Sequence, residues 1–203
     1  MVYRRTPEIQ ARLDGQRAAI LQAAAGLLAD GGYAACSVAA VAARAQIAAG
    51  TVYRHFDNKA ALVAEVFRSV VAREVAAVRA AAASPASPAE RLTAIVETFA
   101  GRALKSPRLA YALLAEPVDP LVHALRLDYR IAFRDVIVAV VAEGVAVGTL
   151  PPQNAIVVAS ALVGALGEAL VLPLAAGVAD PDTVPTLIAF VIRAIGASHV
   201  VHP

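Results

Sequence analysis

"SVAAVAARAQIAAGTVYRHFDNKAAL", residues 37–62, is the stretch that decides the fold of this chain. Ser37 is placed to cap a short helix that would bury Val41 on its inner face. The letters "QIA" at 46–48 leave room only for a tight turn, and a second short helix follows at about 49–55. Two short helices joined by such a turn form a helix-turn-helix when a longer preceding helix supports them.

Helical patterns dominate the rest of the sequence as well. A first helix is predicted at about 8–29, where apolar residues recur at helical spacing and Gly31–Gly32 ends the pattern. Asp57–Asn58 offers an N-cap for a long helix at about 58–83. Strict apolar–polar alternation, which would indicate strands, is missing from the sequence. Further breaks are predicted at 81–90, 106–107, 116–120, 148–154 and 177–183. The sequence therefore predicts an all-α protein of about nine helices.

The composition raises the question of a membrane protein, because 59% of the 203 residues are hydrophobic and the mean hydropathy is +0.65. The longest stretch without Asp, Glu, Lys or Arg runs from Gly144 to Gly167, but Gly, Pro, Gln and Asn interrupt it at 148–154. We therefore expect no complete membrane span of about 20 residues. The first residues, "MVYRRTPEIQ", lack the apolar region of a secretory signal, so we expect a cytoplasmic location.

Charge is distributed unevenly along the chain. Residues 1–80 carry ten Lys and Arg against six Asp and Glu, whereas residues 81–203 carry eight against ten. A basic N-terminal part on a mildly acidic remainder suggests that the N-terminal part meets a polyanion. Arg4 and Arg5 could form an arm that contacts a minor groove or phosphates, and a solvated chain end is an equal alternative.

The polar side chains near residue 55 suit contacts with a nucleic-acid backbone. Tyr53, His55 and Lys59 bring a hydroxyl, a ring N–H and an ammonium close together, and such donors bind phosphate oxygens beside a groove. The alternative is that Tyr53 and His55 only pack on the long helix with their tips in water. Phe56 is assigned to the core.

The run "ILQAAAGLLADGGYAACSVAAVAARAQIAAGTVYRHFDNKAALVAEVF", residues 20–67, resembles the DNA-binding domain of the TetR family of bacterial transcriptional repressors. The resemblance implies a three-helix helix-turn-helix domain at 1–57 and a larger helical effector-binding and dimerisation domain at 58–203. It also implies that Tyr53, His55 and Lys59 contact phosphates, that Ser37 begins the second helix and that Thr51 faces the groove. Lys59 lies in the first turn of its own predicted helix, where the helix dipole disfavours a cation. This unfavourable position indicates that Lys59 binds a ligand rather than stabilises the helix.

The sequence departs from the family pattern at the turn and at the start of the recognition helix. Gln46 stands where members often have Gly, and Ala48, where they often have Ser or Thr, cannot supply an N-cap oxygen. Direct base contacts then fall to few side chains, which are Arg44, Gln46, Thr51 and Arg54. Our hypothesis is that operator choice relies more than usual on phosphate positioning and DNA shape.

The C-terminal part of the sequence suits dimerisation. Residues 154–177 and 183–201 are apolar almost all round, so each predicted helix must be covered on more than one side. By the resemblance, the last two helices would pack with those of a second copy as a four-helix bundle. The alternative is that one chain buries them internally.

Aromatic residues in the middle helices are candidates for an effector pocket, which is expected to be mostly apolar with a few polar groups. We predict Phe99, Tyr111, Tyr129 and Phe133 as ligand-binding residues for an unknown small molecule. We expect no cofactor and no metal, because the four histidines and Cys36 show no metal-ligand spacing.

Three functional classes remain to be compared. An enzyme is disfavoured, because no nucleophile motif, phosphate-binding loop or dinucleotide fingerprint appears, and His199 and His202 lie in a predicted fraying tail. A helical scaffold or membrane-surface protein would leave the polar cluster at 37–59 unexplained. The repressor implied by the resemblance is a homodimer on a near-palindromic double-stranded operator, with its recognition helices about 34 Å apart.

Overall fold

A computed structural model describes residues 7–178 and 180–197. Arg4, Arg5, His199 and His202 lie outside these described residues. Within them the chain forms nine α-helices and no strand, which confirms the predicted fold class. The helices are α1 (Pro7–Ala35), α2 (Val38–Arg44), α3 (Ala49–Tyr53), α4 (Lys59–Ala82), α5 (Pro88–Lys105), α6 (Pro107–Leu114), α7 (Pro120–Ala146), α8 (Ala155–Ala176) and α9 (Thr183–Ala194).

Local capping signals set the ends of the first helices. Gly32 interrupts α1 with φ 71° and ψ −166°, a backbone conformation that glycine adopts without steric cost. The Ser37 hydroxyl accepts from the amide of Ala40, and the Asn58 side chain accepts from the amide of Ala61. These contacts satisfy amides that the first turns of α2 and α4 would otherwise leave unpaired.

One core cluster joins α1, α2, α3 and the first half of α4. The aromatic members are Phe56, 6% exposed, and Phe67, 0% exposed. Cys36 lies in this cluster, where its thiol contacts the carbonyl of Ala24 at 3.8 Å and burial raises its pKa to about 11. The cluster also contains Ala112 of α6 and Val122 of α7. The N-terminal helices therefore rest directly on α6 and α7.

A second core cluster joins the end of α4 to α5, α7, α8 and α9. Its fully or almost fully buried members are Val78, Leu92, Ile95, Val96, Ala100, Ile137, Val140, Val141, Leu150, Ala159, Leu162, Leu166, Leu170, Leu174, Val191 and Ile195. Helix α4 contributes to both clusters, with Leu62 to Val70 in the first and Val78 and Ala82 in the second. A single continuous helix thus ties the two cores together.

Helix α8 corrects the expectation that no segment reaches the length of a membrane span. The interruption at 148–154 is real, but Asn154 caps a new helix of 22 residues whose mean hydropathy reaches 2.2. Its most apolar window is only 22% buried within the chain, and Ile156, Val157 and Leu172 are among its exposed residues. Long core helices of globular proteins meet the same criteria of length and composition, and this chain leaves one apolar face of α8 exposed.

Candidate nucleic-acid interface and internal cavity

The helix-turn-helix segment, residues 37–59, turns tightly at Gln46. Gln46 adopts φ 55°, a left-handed conformation that favours glycine, and its amide donates to the carbonyl of Ala43 at 3.1 Å. The amide of Ile47 donates to the carbonyl of Ala42 at 3.0 Å, which closes the turn. Ala48 is the N-cap of α3 and provides no side-chain hydrogen bond, as the sequence predicts.

Four of the predicted contact residues project from the turn and from α3. Gln46, Tyr53 and Arg54 are exposed, Tyr53 by 56%, and Thr51 is half-buried. In the described part of the chain none of these four side chains forms a hydrogen bond or an ion pair. Val52 and Phe56, on the opposite side of α3, are buried in the N-terminal core. The recognition helix is therefore anchored by apolar residues and presents polar groups outward.

Ser37 and Arg44 have partners within the chain. The Ser37 hydroxyl caps α2 but can still donate its own hydrogen. The Arg44 guanidinium lies against Gly26 and pairs with Asp30 at 2.5 Å, so it is drawn back onto α1. The base contact predicted for Arg44 would require this pair to break.

Lys59 also has an intramolecular role that the sequence did not reveal. Its ammonium donates to the Tyr33 carbonyl at 2.7 Å and lies 3.8 Å from the centre of the Tyr33 ring. A cation at this position satisfies a carbonyl near the end of α1, so its unfavourable place in α4 has a structural reason. Its predicted phosphate contact stays a prediction.

His55 is half-buried at the junction between α3 and α4. Its Nε2 atom is enclosed and has no hydrogen-bond partner in the described chain. Only the other ring nitrogen is then available to a phosphate. This contact also stays a prediction.

A cavity of about 580 Å³ lies between α4, α5, α6, α7 and α8. This size is within the range typical of small-molecule pockets. Apolar side chains make up most of its wall, which includes Val70, Val71, Val78, Ile95, Phe99, Leu109, Leu113, Phe133, Ile137, Val163, Leu166 and Val171.

Three of the four predicted ligand-binding residues line this cavity. The rings of Phe99 and Phe133 meet edge to face with their centres 5.2 Å apart. Tyr129 also lines the wall; its hydroxyl is enclosed without a partner among the described residues, and burial raises its pKa to about 12. Tyr111 packs against the second core cluster and does not line this cavity, so its role in ligand binding stays a prediction.

Charged residues line the cavity in unequal numbers. Five cations, Arg73, Arg102, Lys105, Arg126 and Arg130, stand against two carboxylates, Glu74 and Glu168. Two of these seven form a bidentate pair, in which the Arg102 guanidinium donates to Glu74 at 2.5 and 2.9 Å. None of these charged residues is among the predicted ligand-binding residues, because only tertiary packing brings them to the cavity.

Arg126 connects the cavity wall to the end of α6. Its guanidinium donates to the carbonyls of Ala112 at 2.9 Å and Leu113 at 3.0 Å, and also to the carbonyl of Glu116. These are carbonyls that the end of a helix leaves unpaired. Arg126 therefore fixes the C-terminal end of α6.

Glu116, just beyond α6, reaches the N-terminal helices. Its carboxylate accepts from the Tyr33 amide at 2.8 Å and packs on Gly32, where a side chain would collide with it. Tyr33 in turn accepts from Lys59 through its carbonyl and donates through its hydroxyl to Asp119. Burial raises the pKa of Glu116, against the effect of Lys59, Arg126 and Arg108. A chain of direct contacts thus runs from the cavity to the helix-turn-helix segment.

No cluster of His, Cys, Asp and Glu suited to hold a metal ion occurs among residues 7–178 and 180–197.

The sequence matches one family model and two curated proteins. Residues 20–66 match the family described as "Bacterial regulatory proteins, tetR family". The chain is 34% identical over 100 residues to the HTH-type transcriptional repressor KstR of Rhodococcus jostii, covering 48% of this chain and 45% of that protein. It is 33% identical over 98 residues to KstR of Mycobacterium tuberculosis, covering 48% and 44%. The chain thus spans about half the length of the curated relatives it matches.

Solved structures share the fold over almost the whole chain. A TetR transcription regulator from Haloarcula marismortui matches with a TM-score of 0.78 at 20% identity, over 91% of this chain and 98% of that one. FadR from Bacillus subtilis, solved in complex with stearoyl-CoA, matches with a TM-score of 0.76 at 17% identity, over 90% and 99%. At such identities the likeness shows a common fold.

Proposed function

We propose that this chain is a member of the TetR family of bacterial regulatory proteins and acts as a DNA-binding transcriptional repressor released from its operator by a small-molecule effector. One observation carries the proposal. The residues that match the family, 20–66, fold into a helix-turn-helix whose recognition helix points unpaired polar side chains to solvent. The relatives are regulators, which favours this function over catalysis, and a repressor acts where the DNA is, in the cytoplasm.

The functions that we propose for the two parts of the chain correspond to the two core clusters. We assign DNA binding to residues 1–57 and effector binding and dimerisation to residues 58–203, with α4 shared between them. Tyr53, His55 and Lys59 would hold phosphates, and Ser37 would lie at the start of α2 beside them. Gln46, Thr51 and Arg54 are the side chains free to meet bases. Because α3 offers so few base-reading groups, DNA shape would contribute much of the specificity.

Dimerisation would cover the open apolar face of α8 together with α9. The exposed residues of α8 recur at helical spacing, namely Ile156, Val157, Ser160, Ala161, Gly164, Glu168 and Leu172, and Phe190 is exposed on α9. Small residues in this stripe permit close approach of a second helix. Two copies related by a two-fold axis would then present two recognition helices to one near-palindromic operator.

Effector binding would reach the DNA-binding helices through α6. The cavity wall includes Arg126, which holds the end of α6, and Glu116 there holds Tyr33. A ligand that binds better to one position of α6 than to another shifts the population between the two. The stearoyl-CoA bound by the Bacillus subtilis neighbour makes an acyl-CoA the first effector to test.

The test of DNA binding is a titration of labelled duplexes that tile the region upstream of the chain's own gene, followed by fluorescence anisotropy. We expect one near-palindromic fragment to bind, with affinity falling steeply between about 50 and 200 mM salt. Arg54→Gln should weaken this binding, whereas Arg79→Gln, an equally exposed arginine at the far end of α4, should not. Failure to bind any fragment at low salt would refute the repressor.

The dimer is tested on its own by sedimentation of the wild-type chain and of Ile156→Glu. The wild type should sediment as a dimer and the variant, whose new carboxylate would be buried at the interface, as a monomer. Flotation of the wild type with anionic lipid vesicles in the same buffer would instead support the membrane-surface alternative.

A further inference from the structure

We propose that the effector is an amphipathic anion, whose apolar body fills the cavity and whose negatively charged group binds at Arg126 and Arg130. This inference rests on the proposed function, since it names the chemical class of the effector. Two features of the described cavity lead to it, the apolar wall and the unbalanced charge.

The mostly apolar wall suits a hydrocarbon body. Phe99 and Phe133 form one side, and valine and leucine side chains from α4, α6 and α8 form the others. Because most of the wall around this volume of about 580 Å³ is apolar, a purely polar ligand would lose more hydrogen bonds to water than it gains. The wall therefore selects a ligand that is mostly apolar.

The charge at the cavity is positive and mostly unpaired. Arg102 is satisfied by Glu74, but Arg73, Lys105, Arg126 and Arg130 form no ion pair within the described residues, and Glu168 pairs with none of them. A cationic ligand would meet four such charges and one free carboxylate. An anionic ligand would meet mostly positive charges, which favour its binding.

Arg126 and Arg130 lie one turn apart on α7 and face the same cavity. Burial lowers the pKa of Arg126, and the charge of Arg130 lowers it further. Arg126 is half-buried and Arg130 is exposed. Like charges one turn apart on a helix repel each other, and a carboxylate or phosphate between them removes the repulsion while accepting hydrogen bonds. The position of Arg126 and Arg130 thus explains why an anion would bind and where its charged group would lie.

The same contact explains how such a ligand would signal. Arg126 donates to three carbonyls at the end of α6, and an anionic oxygen is a stronger acceptor than a neutral carbonyl. A bound anion would compete for this guanidinium and so weaken its hold on α6.

The experiment compares probes that share a twelve-carbon chain and differ in the head group: dodecanoate, dodecanoyl-CoA, dodecanol and dodecyltrimethylammonium. Binding to the full-length chain without DNA is measured by isothermal titration below the micelle-forming concentration of each probe. We expect at least one anion to bind at least tenfold more tightly than the alcohol, and the cation to bind most weakly. Tight binding of dodecanoate identifies a carboxylate, and binding of dodecanoyl-CoA alone identifies the phosphates of a thioester carrier.

Two variants locate the head group. Arg130→Gln should weaken the anion about tenfold, the loss of one charged hydrogen bond, and leave dodecanol unchanged. Arg134→Gln is the matched control, because Arg134 lies one turn further along α7, pairs with Asp135 and does not line the cavity. Shortening the chain should cost about fourfold per methylene for every head group.

Equal binding of the alcohol or the ammonium probe would overturn the proposal, as would absence of binding by both anions or an unchanged anion affinity in Arg130→Gln. These titrations contain no DNA, so their failure leaves the repressor assignment standing. Absence of operator binding, conversely, would leave the ligand class standing.

Discussion

The helix-turn-helix segment and the cavity both gather polar groups in an otherwise apolar chain, but they do so in opposite ways. In the segment, residues 37–59, the groups follow one another in sequence and point outward from two short helices. Around the cavity, charged residues from α4, α5, α7 and α8 converge on one apolar wall. The first arrangement is set by local capping and turn signals, and the second by the packing of distant helices.

The two regions also differ in how their polar groups are occupied. In the segment, Arg44 and Lys59 already have partners on α1, so few polar residues are left free. At the cavity, Arg73, Lys105 and Arg130 have no carboxylate partner among the described residues. The segment therefore presents its free polar groups outward, whereas the cations at the cavity that lack a carboxylate partner are exposed to solvent.

The largest expected effect tests whether the two regions unfold as one unit. Phe67→Ala removes a fully buried ring from the N-terminal core and should cost about 3–5 kcal/mol. Leu166→Ala, which opens the other core beside the cavity, should cost about 2–5 kcal/mol. Because α4 runs through both cores, urea unfolding followed by circular dichroism should remain a single transition in each variant. Two separate transitions would show that the regions are independent.

The second prediction separates free from occupied groups within the segment. Tyr53→Ala should weaken operator binding about tenfold and change the unfolding free energy by less than about 0.5 kcal/mol, since its side chain is exposed and unpaired. Lys59→Met should weaken operator binding too, but unlike Tyr53→Ala it should lower the free energy of unfolding by about 1–3 kcal/mol, because the Tyr33 carbonyl loses a charged donor. Anisotropy and urea titration measure the two effects. Equal stability losses would contradict the distinction.

Much of the fold, but less of the site, is predictable from the sequence. Ser37 and Asn58 act on amides within a few residues, and both cap their helices as predicted. Gly32 is predicted to end the first helix, but it kinks α1, which continues to Ala35. Tyr111 shares the aromatic character of Phe99, yet only the packing of α6 decides that it turns away from the cavity. The Lys59 contact with Tyr33 likewise joins residues 26 positions apart, and no local pattern reveals it.

The third prediction concerns the turn itself. Gln46→Gly should stabilise the chain by about 1 kcal/mol, because glycine adopts the observed φ of 55° without the cost that other residues bear. Ala43→Gly, in the helical part of α2, is the control and should destabilise by about 0.5–1 kcal/mol. Thermal and urea unfolding measure both. A loss of stability in Gln46→Gly would mean that the glutamine side chain makes a contribution that its exposure hides.

The smallest effect is expected at the start of the recognition helix. Ala48→Ser supplies the missing N-cap oxygen and should add about 0.5–1 kcal/mol to stability. Ala49→Ser, one residue into α3, cannot cap and should give no gain. Amide hydrogen exchange in α3 would report the change locally. If protection does not rise in Ala48→Ser, then packing of Val52 and Phe56 alone sets the order of this helix.

The buried thiol of Cys36 has a consequence for measuring motion. It is the only thiol in the chain, it lies where α1, α2 and α4 meet, and its pKa of about 11 keeps it protonated near neutral pH. A thiol reagent can modify it only when these helices separate, so the labelling rate reports local opening of the N-terminal core without any added probe. If the proposed operator DNA holds these helices together, it should slow the labelling, so the rate of labelling of Cys36 would measure how often the N-terminal core opens.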